Sequence, residues 1–484
     1  MNLRPVLRFL GQLVLVLAGA LTLPAAVCLI YGERADARAF AWTAILTAAC
    51  GLAMRTAGRR VEATDLYRRE GVLLVVGGWL FASLFGALPY LLTGTLASPI
   101  DALFEAMSGF TTTGATVLTD IESAGRGVLF WRSFSQWLGG MGIIVLFVAL
   151  LPELGPGARF LYKLEVPGPT AEALRPRIRD TAAILWRIYL LLTAAQTLLL
   201  LACGLDLYDA LTHTFSTLST GGFSPRNASV AAFDSPWVHL VVIVFMVLAG
   251  GNFSLYYGLR LRGNWNLLRD PEFRIYLLIM AGSSAVVVAT LIAAGTYPLH
   301  PRALLDAVFQ VASIQTTTGF ASADFETWPE LSRMLLVTLM FVGGCAGSTA
   351  GSMKVMRMVV GLKFAFREVR LAFSPTTITP VFVGGKPVPE GVVNTVSGFF
   401  ILFLTSWGLG ALLLTIGGND LITAGTAAIA TLGNIGPGLE AVGPIENYAF
   451  FSAPEKLLMV VLMILGRLEV YSIAALFSIR FWKR

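Results

Sequence analysis

The chain has 484 residues, of which 56% are hydrophobic and only 13% are charged, and its formal net charge is +6 at pH 7. A soluble protein has about a quarter charged residues, so this composition excludes a water-soluble globular domain and indicates a protein with many membrane spans. The positive charge does not indicate a nucleic-acid partner, because Lys and Arg cluster in short segments between apolar runs, as in cytoplasmic loops.

Ten apolar segments are long enough to cross a bilayer. They are predicted at 7–30, 38–55, 70–93, 128–152, 181–204, 236–260, 274–297, 331–360, 391–416 and 455–481. Basic residues fall in or beside every second loop, with Arg34 and Arg38 in the first loop as a minor exception. The positive-inside rule therefore predicts that both termini lie in the cytoplasm, which agrees with an even number of spans.

Four outward loops are too long for tight turns, namely 94–127, 205–235, 298–330 and 417–454. Each contains a moderately apolar stretch of about a dozen residues, which is too short to cross the membrane. Such a stretch is predicted to enter the membrane and return on the same side. Non-helical backbone at membrane depth is stable only where it is buried in protein or lines a water-filled cavity, so the four stretches predict one shared cavity.

These four stretches are repeats of one another. They read DALFEAMSGFTTTGAT from Asp101, DALTHTFSTLSTGGFS from Asp209, DAVFQVASIQTTTGFA from Asp306 and TAGTAAIATLGNIGPG from Thr423. A glycine stands thirteen positions after the first residue of each repeat, at Gly114, Gly222, Gly319 and Gly436. A unit of span, re-entrant segment and span is therefore repeated four times after two extra spans.

Each repeat has the pattern of a cation filter. The Asp or Thr at its front is predicted to cap a short helix, whose carbonyl end then points into the membrane and favours a cation. The glycine lets successive backbone carbonyls face one axis and replace the water around an ion, and the hydroxyls of 111–113 and 316–318 are candidates for further oxygens. The predicted filter residues are Thr112, Thr113, Gly114, Thr220, Gly221, Gly222, Thr317, Thr318, Gly319, Asn434, Ile435 and Gly436.

The alternative interpretation of this pattern is packing. Glycine and threonine are common where membrane helices pack closely, so a single TTTG motif would carry little information. Four glycines at one offset, all in outward loops, favour the filter.

The eighth predicted span contains GGCAGSTAGS at 343–352, a composition that disfavours a helix. These small residues could serve close helix packing, but we interpret them as an unwound loop beneath the filter that acts as a gate. The predicted loop residues are Gly343, Gly344, Gly347, Ser348, Thr349, Gly351 and Ser352.

Arg467 lies near the middle of the last predicted span, where an unpaired charge costs at least about 2.5 kcal/mol. We expect it to face the pore below the filter, near 343–352, where its charge opposes cation passage. A salt bridge to Glu469 is the alternative, although residues two apart do not share a helix face. Gln136 and Asn252 are interpreted as interhelical hydrogen-bonding residues.

Several longer motifs accompany the filter quartet. The quartet reads TTGAT (112–116), TGGFS (220–224), TTGFA (317–321) and NIGPG (434–438), and the other motifs are SFSQWLGGMGI from Ser133, GGNFSLYYG from Gly250, FVGGCAGSTAGSMKV from Phe341 and GRLEVYS from Gly466. With these motifs the whole chain resembles the membrane subunits of the Trk/Ktr/HKT potassium transporters, specifically the TrkH type.

The resemblance implies an all-α polytopic membrane protein. Four span–pore-helix–span repeats would stand in a pseudo-fourfold arrangement around one pore, with two extra N-terminal transmembrane helices. The corresponding units are 1–66 for the extra helices, 67–178, 179–270 and 271–388 for the first three repeats, with the gating loop in the third, and 389–484 for the fourth.

The resemblance also implies that the filter residues bind K+ as the transported ion. In related plant transporters a serine at the first filter glycine accompanies Na+ preference, so Gly114 favours K+. Pro437 removes an amide donor from the fourth segment, and side chains differ at every level of the four segments. We therefore expect weaker discrimination between K+ and Na+ than in a fourfold-symmetric channel.

No cytoplasmic loop contains a strand–GxGxxG–helix unit, so the nucleotide-sensing module usual in this family is not in this chain. The resemblance implies a separate TrkA-like subunit with RCK domains, which would carry the regulatory nucleotide of the NAD or ATP type. It also implies a homodimer in a bacterial inner membrane, with one pore in each protomer.

Three transport mechanisms are compatible with such a chain. The leading one is K+ uptake through a gated channel, and the second is K+/H+ or K+/Na+ symport through the same filter. A solute symporter built on inverted repeats is disfavoured because the four repeats share one orientation. An enzyme is not indicated, since the spans contain no pattern of a nucleophile with a base.

Overall fold

The computed structural model describes residues 3–58, 68–142, 178–262, 266–297, 301–374, 379–468, 470–476 and 479–482. These residues are largely helical, and the described part of the chain has one short β-hairpin, in which β1 (Phe382–Val383) pairs antiparallel with β2 (Lys386–Pro387). Three helices precede the repeats: α1 (Leu3–Ala20), α2 (Thr22–Ile30) and α3 (Arg34–Ala57). The predicted all-α fold class is confirmed.

Each of the four repeats has a first span, a short pore helix and a second span. The first spans are α4 (Arg68–Leu92), α7 (Ile178–Ala202), α11 (Pro271–Ala293) and α15 (Glu390–Ile416). The pore helices are α5 (Pro99–Phe110), α8 (Leu207–Leu218), α12 (Pro301–Gln315) and α16 (Leu421–Leu432). The second spans comprise α6 (Arg126–Gly140), α9 (Pro236–Ala249) with α10 (Phe253–Arg262), α13 (Glu330–Val342) with α14 (Val355–Phe373), and α17 (Ala453–Arg467) with α18 (Val470–Leu476) and α19 (Ile479–Trp482).

Six helical segments of the described residues are long and apolar enough to cross a membrane. They are Leu3–Ile30, Arg34–Ala57, Arg69–Leu92, Asp180–Ala202, Pro271–Ala293 and Glu390–Ile416. They agree within a few residues with the first, second, third, fifth, seventh and ninth predicted spans.

The other predicted spans are the second spans of the repeats, and their continuity was predicted wrongly. The sequence predicts an interruption only at 343–352, but α9 also ends before Gly250 and α17 ends at Arg467. In the first repeat α6 ends at Gly140, and residues 143–152 of the predicted span lie outside the described residues. Glycine weakens a helix because it loses the most conformational freedom on folding, and a glycine stands at or beside each of these ends.

Glycines also bring the second spans against the ends of the pore helices. A Cβ atom on Gly139 would overlap the carbonyl of Phe110, and one on Gly466 would overlap the carbonyl of Leu432. Phe110 and Leu432 are the last residues of α5 and α16. The absent side chains therefore let α6 and α17 pack on the backbone just below the filter segments.

Three of the pore helices have their cap three residues earlier than the sequence predicts, and the fourth, α12, begins at Pro301, so that the predicted cap Asp306 lies inside it. Ser98 caps α5, Asp206 caps α8 and Asp420 caps α16, so Asp101, Asp209 and Thr423 are not the caps. Hydrogen bonds from Thr423 to Asp420 lower the pKa of the Asp420 carboxyl. The misplacement arises because Asp suits both the cap and the first turn, where it meets the positive end of the helix dipole.

The N-terminal unit packs on the first repeat. The carboxylate of Glu33 accepts hydrogen bonds from the backbone N–H groups of Arg126 (2.7 Å) and Gly127 (3.0 Å). Because these are unpaired donors of the first turn of α6, Glu33 acts as a cap from outside the repeat. The guanidinium of Arg126 in turn lies 4.4 Å from the ring centroid of Tyr31.

Candidate ion pathway

The four predicted filter segments share one backbone conformation. The residue two positions before each filter glycine is left-handed, with φ of 57° at Thr112, 54° at Thr220, 58° at Thr317 and 54° at Asn434. The glycines themselves have φ of 82° at Gly114, 77° at Gly222, 80° at Gly319 and 102° at Gly436. Left-handed residues at alternate positions break the helical hydrogen-bond ladder and free the carbonyls between them to face a common axis. Strain of this kind, about 1–3 kcal/mol per residue, concentrates at functional sites.

Contacts between the segments close them into a ring. A Cβ atom on a filter glycine would collide with a carbonyl oxygen of the next repeat: Gly114 with Gly221, Gly222 with Thr318, and Gly319 with Ile435. On Gly436 it would lie 2.8 Å from the carbonyl oxygen of Thr113, which returns to the first repeat. The structure therefore brings all four predicted segments together around one axis. Glycine is required at these positions for the close approach as well as for its φ.

A cavity of about 290 Å³ lies on the side of this ring that faces the outward loops. The four filter glycines belong to its wall, together with residues that follow the first, second and fourth segments. An ion that crosses the ring therefore passes between this cavity and the space beneath the filter.

The threonine hydroxyls were predicted to add oxygens to the pathway, and four of them are paired within their own segments. The hydroxyl oxygens of Thr111 and Thr113 lie 2.8 Å apart, and those of Thr316 and Thr318 lie 2.7 Å apart. These pairs are buried and fix the first and third segments in the same way.

Beneath the ring, residues 343–354 form a non-helical loop between α13 and α14. It contains all the predicted gate-loop residues, namely Gly343, Gly344, Gly347, Ser348, Thr349, Gly351 and Ser352. The Thr349 hydroxyl donates to the Leu218 carbonyl at the end of α8 (3.0 Å), and the Gly351 N–H donates to the Thr317 hydroxyl (2.7 Å). The loop is thus attached from below to the end of the second pore helix and to the third filter segment.

Arg467 completes this attachment. One guanidinium nitrogen donates to the Thr112 hydroxyl (3.2 Å) and the Thr349 carbonyl (2.9 Å). The other donates to the carbonyls of Gly139 (2.6 Å) and Gly140 (2.8 Å). The positive charge therefore lies directly below the first filter segment and touches the loop. Glu469, the alternative partner considered from the sequence, lies outside the described residues.

Glu272 also holds the loop, and sequence reasoning missed it. This residue stands in the first turn of α11 and is 5% exposed. Its Oε1 atom accepts hydrogen bonds from the backbone N–H groups of Ala346 (2.7 Å) and Met356 (3.1 Å), one in the loop and one just after it. The first span of every repeat has an acidic residue in its first turn, and nothing in the sequence distinguishes Glu272 of the third repeat from the other three.

The two polar residues interpreted as interhelical have different partners. Gln136 on α6 donates to the Gly221 carbonyl (2.6 Å) and accepts from the Phe223 N–H (3.1 Å), so it holds the second filter segment. Asn252 accepts from the N–H of Ser254 (2.9 Å), a local bond at the start of α10. Gln136 therefore holds a filter segment rather than a neighbouring helix, and the bond of Asn252 is a local one at the start of α10.

A ring of backbone carbonyls, set at the ends of four short helices within a bundle of membrane-length helices, is typical of membrane proteins that transport cations. The chain matches the family described as "TrkH: Cation transport protein" over residues 37–483. It is 39% identical over 487 residues to the Trk system potassium uptake protein TrkH of Halomonas elongata, with 100% of both chains covered. Identity is 38% over 492 residues with the protein of that name from Escherichia coli K12, again with 100% of both covered.

The similarity extends to three dimensions. The crystal structure of the potassium transporter TrkH from Vibrio parahaemolyticus superimposes with a TM-score of 0.90 at 35% identity and covers 100% of both chains. The chain therefore belongs to the TrkH family of cation transport proteins, and this family is one of transporters rather than enzymes.

Substitution of Glu272 by Ala is expected to free the loop locally. Both amides lose an acceptor, and a hydrogen bond contributes about 0.5–1.5 kcal/mol, which corresponds to roughly two- to tenfold in opening. Hydrogen–deuterium exchange should therefore accelerate at Ala346 and Met356. Asp270→Ala is the matched control, because Asp270 caps the same helix through the Phe273 N–H (2.9 Å) and does not bond to the loop. Unchanged exchange at Ala346 and Met356 would contradict the conclusion that Glu272 holds the loop.

Proposed function

We propose that this chain takes up K+ across the inner membrane of a bacterium through a gated, channel-like pore. The observation that carries the proposal is the closed ring of glycine and carbonyl contacts among the four filter segments. The names of the relatives, Trk system potassium uptake proteins, support K+ as the ion. The filter residues for K+ are the twelve named from the sequence, centred on Gly114, Gly222, Gly319 and Gly436.

The fourth segment makes this filter asymmetric. The Asn434 side chain donates to the Thr113 hydroxyl (3.0 Å) and to the Met463 carbonyl (3.0 Å), whereas the other segments have threonine at that position. Pro437 follows the filter glycine, where the other repeats have residues with an N–H. A filter with unequal walls supports moderate rather than high discrimination of K+ from Na+.

The gate in this proposal consists of the loop 343–354 and Arg467. Their hydrogen bonds join the first and third filter segments and the end of the second pore helix from below, so the loop cannot leave the axis without breaking them. The guanidinium adds electrostatic repulsion, because an ion leaving the filter meets a fixed positive charge in a region of low dielectric. Opening then requires the loop and the end of α17 to move together.

Control of the gate is assigned to a cytosolic partner. The proposed partner is a TrkA-like subunit with RCK domains that binds a nucleotide of the NAD or ATP type and docks on the basic cytoplasmic loops. Both termini lie on that side, and two such chains form a homodimer with one pore each. The units 1–66, 67–178, 179–270, 271–388 and 389–484 are the proposed division of the chain.

Ion flux into proteoliposomes tests the mechanism. For a channel, K+ uptake follows the imposed membrane potential and does not change when a H+ or Na+ gradient is added. For the alternative, K+/H+ or K+/Na+ symport, the added gradient drives K+ against its own electrochemical gradient. Absence of any K+ flux, with and without the partner, would overturn the function itself.

Gly114→Ser is expected to weaken the preference for K+. The hydroxymethyl group cannot fit against the Gly221 carbonyl, and φ of 82° is unfavourable for serine, so the ring must widen. A loss of about 1.4 kcal/mol of discrimination lowers the K+/Na+ permeability ratio about tenfold, which reversal potentials measure. Gly425→Ser on the pore helix α16 is the control, because a Cβ atom there meets nothing within 4 Å. An unchanged ratio would remove Gly114 from the filter.

Arg467→Ala is expected to raise K+ flux in the absence of the partner. It removes the barrier charge and the hydrogen bond that holds the Thr349 carbonyl. Flux into proteoliposomes lacking the partner should increase several-fold, since about 1.4 kcal/mol of barrier corresponds to tenfold in rate. The exposed Arg187 on α7 provides the control Arg187→Ala. The barrier role fails if both variants behave like the unmodified protein.

A further inference from the structure

Each pore helix places one side chain behind the filter. This side chain contacts the extended segment of the same repeat that follows the filter glycine, which we call the exit strand. The Glu105 carboxylate accepts from the Val117 N–H (2.9 Å), and the Thr426 hydroxyl accepts from the Leu439 N–H (3.0 Å). Val117 and Leu439 are both the third residue after their filter glycine. The first and fourth repeats therefore use the same contact, a pore-helix oxygen that holds the N–H three residues beyond the glycine.

The third repeat makes the same contact, and the second repeat replaces it. In the orientation that satisfies both amide atoms of Gln310, its side-chain oxygen accepts from the N–H of Ser322 (2.7 Å), again the third residue after the filter glycine. In the second repeat the third residue is Pro225, which has no N–H to donate. His213 bonds instead to the Ser224 hydroxyl (3.0 Å). The position nine residues before the glycine thus carries Glu105, His213 and Gln310, adapted to the donor that each strand offers.

In the first repeat, the pore-helix side chain that makes this contact, Glu105, also belongs to an ion pair. Arg132 on α6 donates from Nε to Glu105 at 2.8 Å, and the two side chains are 1% and 0% exposed. Glu105 also accepts from the Thr116 hydroxyl (2.9 Å). A buried carboxylate is stable only when its charge is compensated and its lone pairs are bonded, and here both conditions are met.

Arg132 also reaches the second repeat. It donates to the Ser224 carbonyl (3.1 Å) and the Thr116 hydroxyl (3.1 Å), and its guanidinium lies 4.1 Å from the ring centroid of Phe223. Thr116 and Ser224 are each the second residue after their filter glycine. One planar side chain therefore sets the distance between the exits of two neighbouring filter segments, a task suited to the rigid fork of arginine.

We propose that the Glu105–Arg132 pair is a specificity-determining element of ion transport, which positions the first two filter segments so that their carbonyls keep the spacing that suits K+. The proposal rests on the assignment of the filter given above. Neither residue touches the ion, so both act as positioning residues. A hydrophobic pair could hold two helices together equally well, whereas fixed hydrogen bonds to two strands control the geometry of the ring.

The test compares K+/Na+ permeability ratios, from reversal potentials in proteoliposomes, for Arg132→Lys, Glu105→Gln and the double variant E105Q/R132Q. Lysine keeps the charge but cannot bond Thr116 and Ser224 together, so we expect the ratio to fall about tenfold while K+ flux persists. Glu105→Gln should lower it by a similar factor. The double variant leaves no unpaired charge, so it should fold even if a single variant does not, with the same loss of selectivity.

The pair formed by Lys456 and Asp101 provides the matched control. It also joins a second span to α5 through a buried cation at 2.7 Å, but neither residue bonds to a filter segment. Lys456→Arg should therefore leave the ratio unchanged. The proposal is overturned if the Arg132 and Glu105 variants keep the ratio of the unmodified protein, if Lys456→Arg lowers it equally, or if the double variant fails to fold while Lys456→Arg folds. A lack of K+ preference in the unmodified protein would instead contradict the proposed filter.

Discussion

The closed ring of glycine–carbonyl contacts is the constraint on which the rest of this structure depends. Four strands can approach this closely only if the side chain is absent where each faces its neighbour, and only if the preceding residues accept a left-handed backbone. The pore helices and second spans then have one task in common, which is to hold strained backbone in place. The strained backbone is held by the buried side chains behind the ring and by the glycine contacts below it.

The supporting contacts differ on the two sides of the filter. Behind and above the ring they are made by buried side chains such as Glu105, Arg132 and Gln136, which hold the strands rigidly. Below it they are made largely by hydroxyls and loop amides, with Arg467 as the charged member. Both sets are buried, but only the lower set includes residues of the loop that forms the proposed gate. In the proposed gate, the contacts behind and above the ring keep the filter fixed, and the contacts below it break when the loop moves.

The repeat architecture could be predicted from the sequence because glycine spacing and hydrophobic length are local signals. The filter segments and the unwound loop were found for that reason, and the position of Arg467 followed from the cost of a charge within a span. The breaks at Gly250 and after Arg467 were missed, because two glycines or a single arginine in an apolar run are also compatible with a continuous helix. The roles of Glu272 and Glu105 depend on contacts across about seventy-four and twelve positions, which one sequence does not reveal.

Encoding all four filter segments in one chain has an evolutionary consequence. In a pore assembled from identical subunits, one codon change alters every wall at once, and most such changes are too drastic to survive. Here a change at Asn434 or Pro225 alters a single wall and leaves three unaltered. Natural selection can therefore tune ion preference in small steps, and a heterogeneous filter is the expected record of that history.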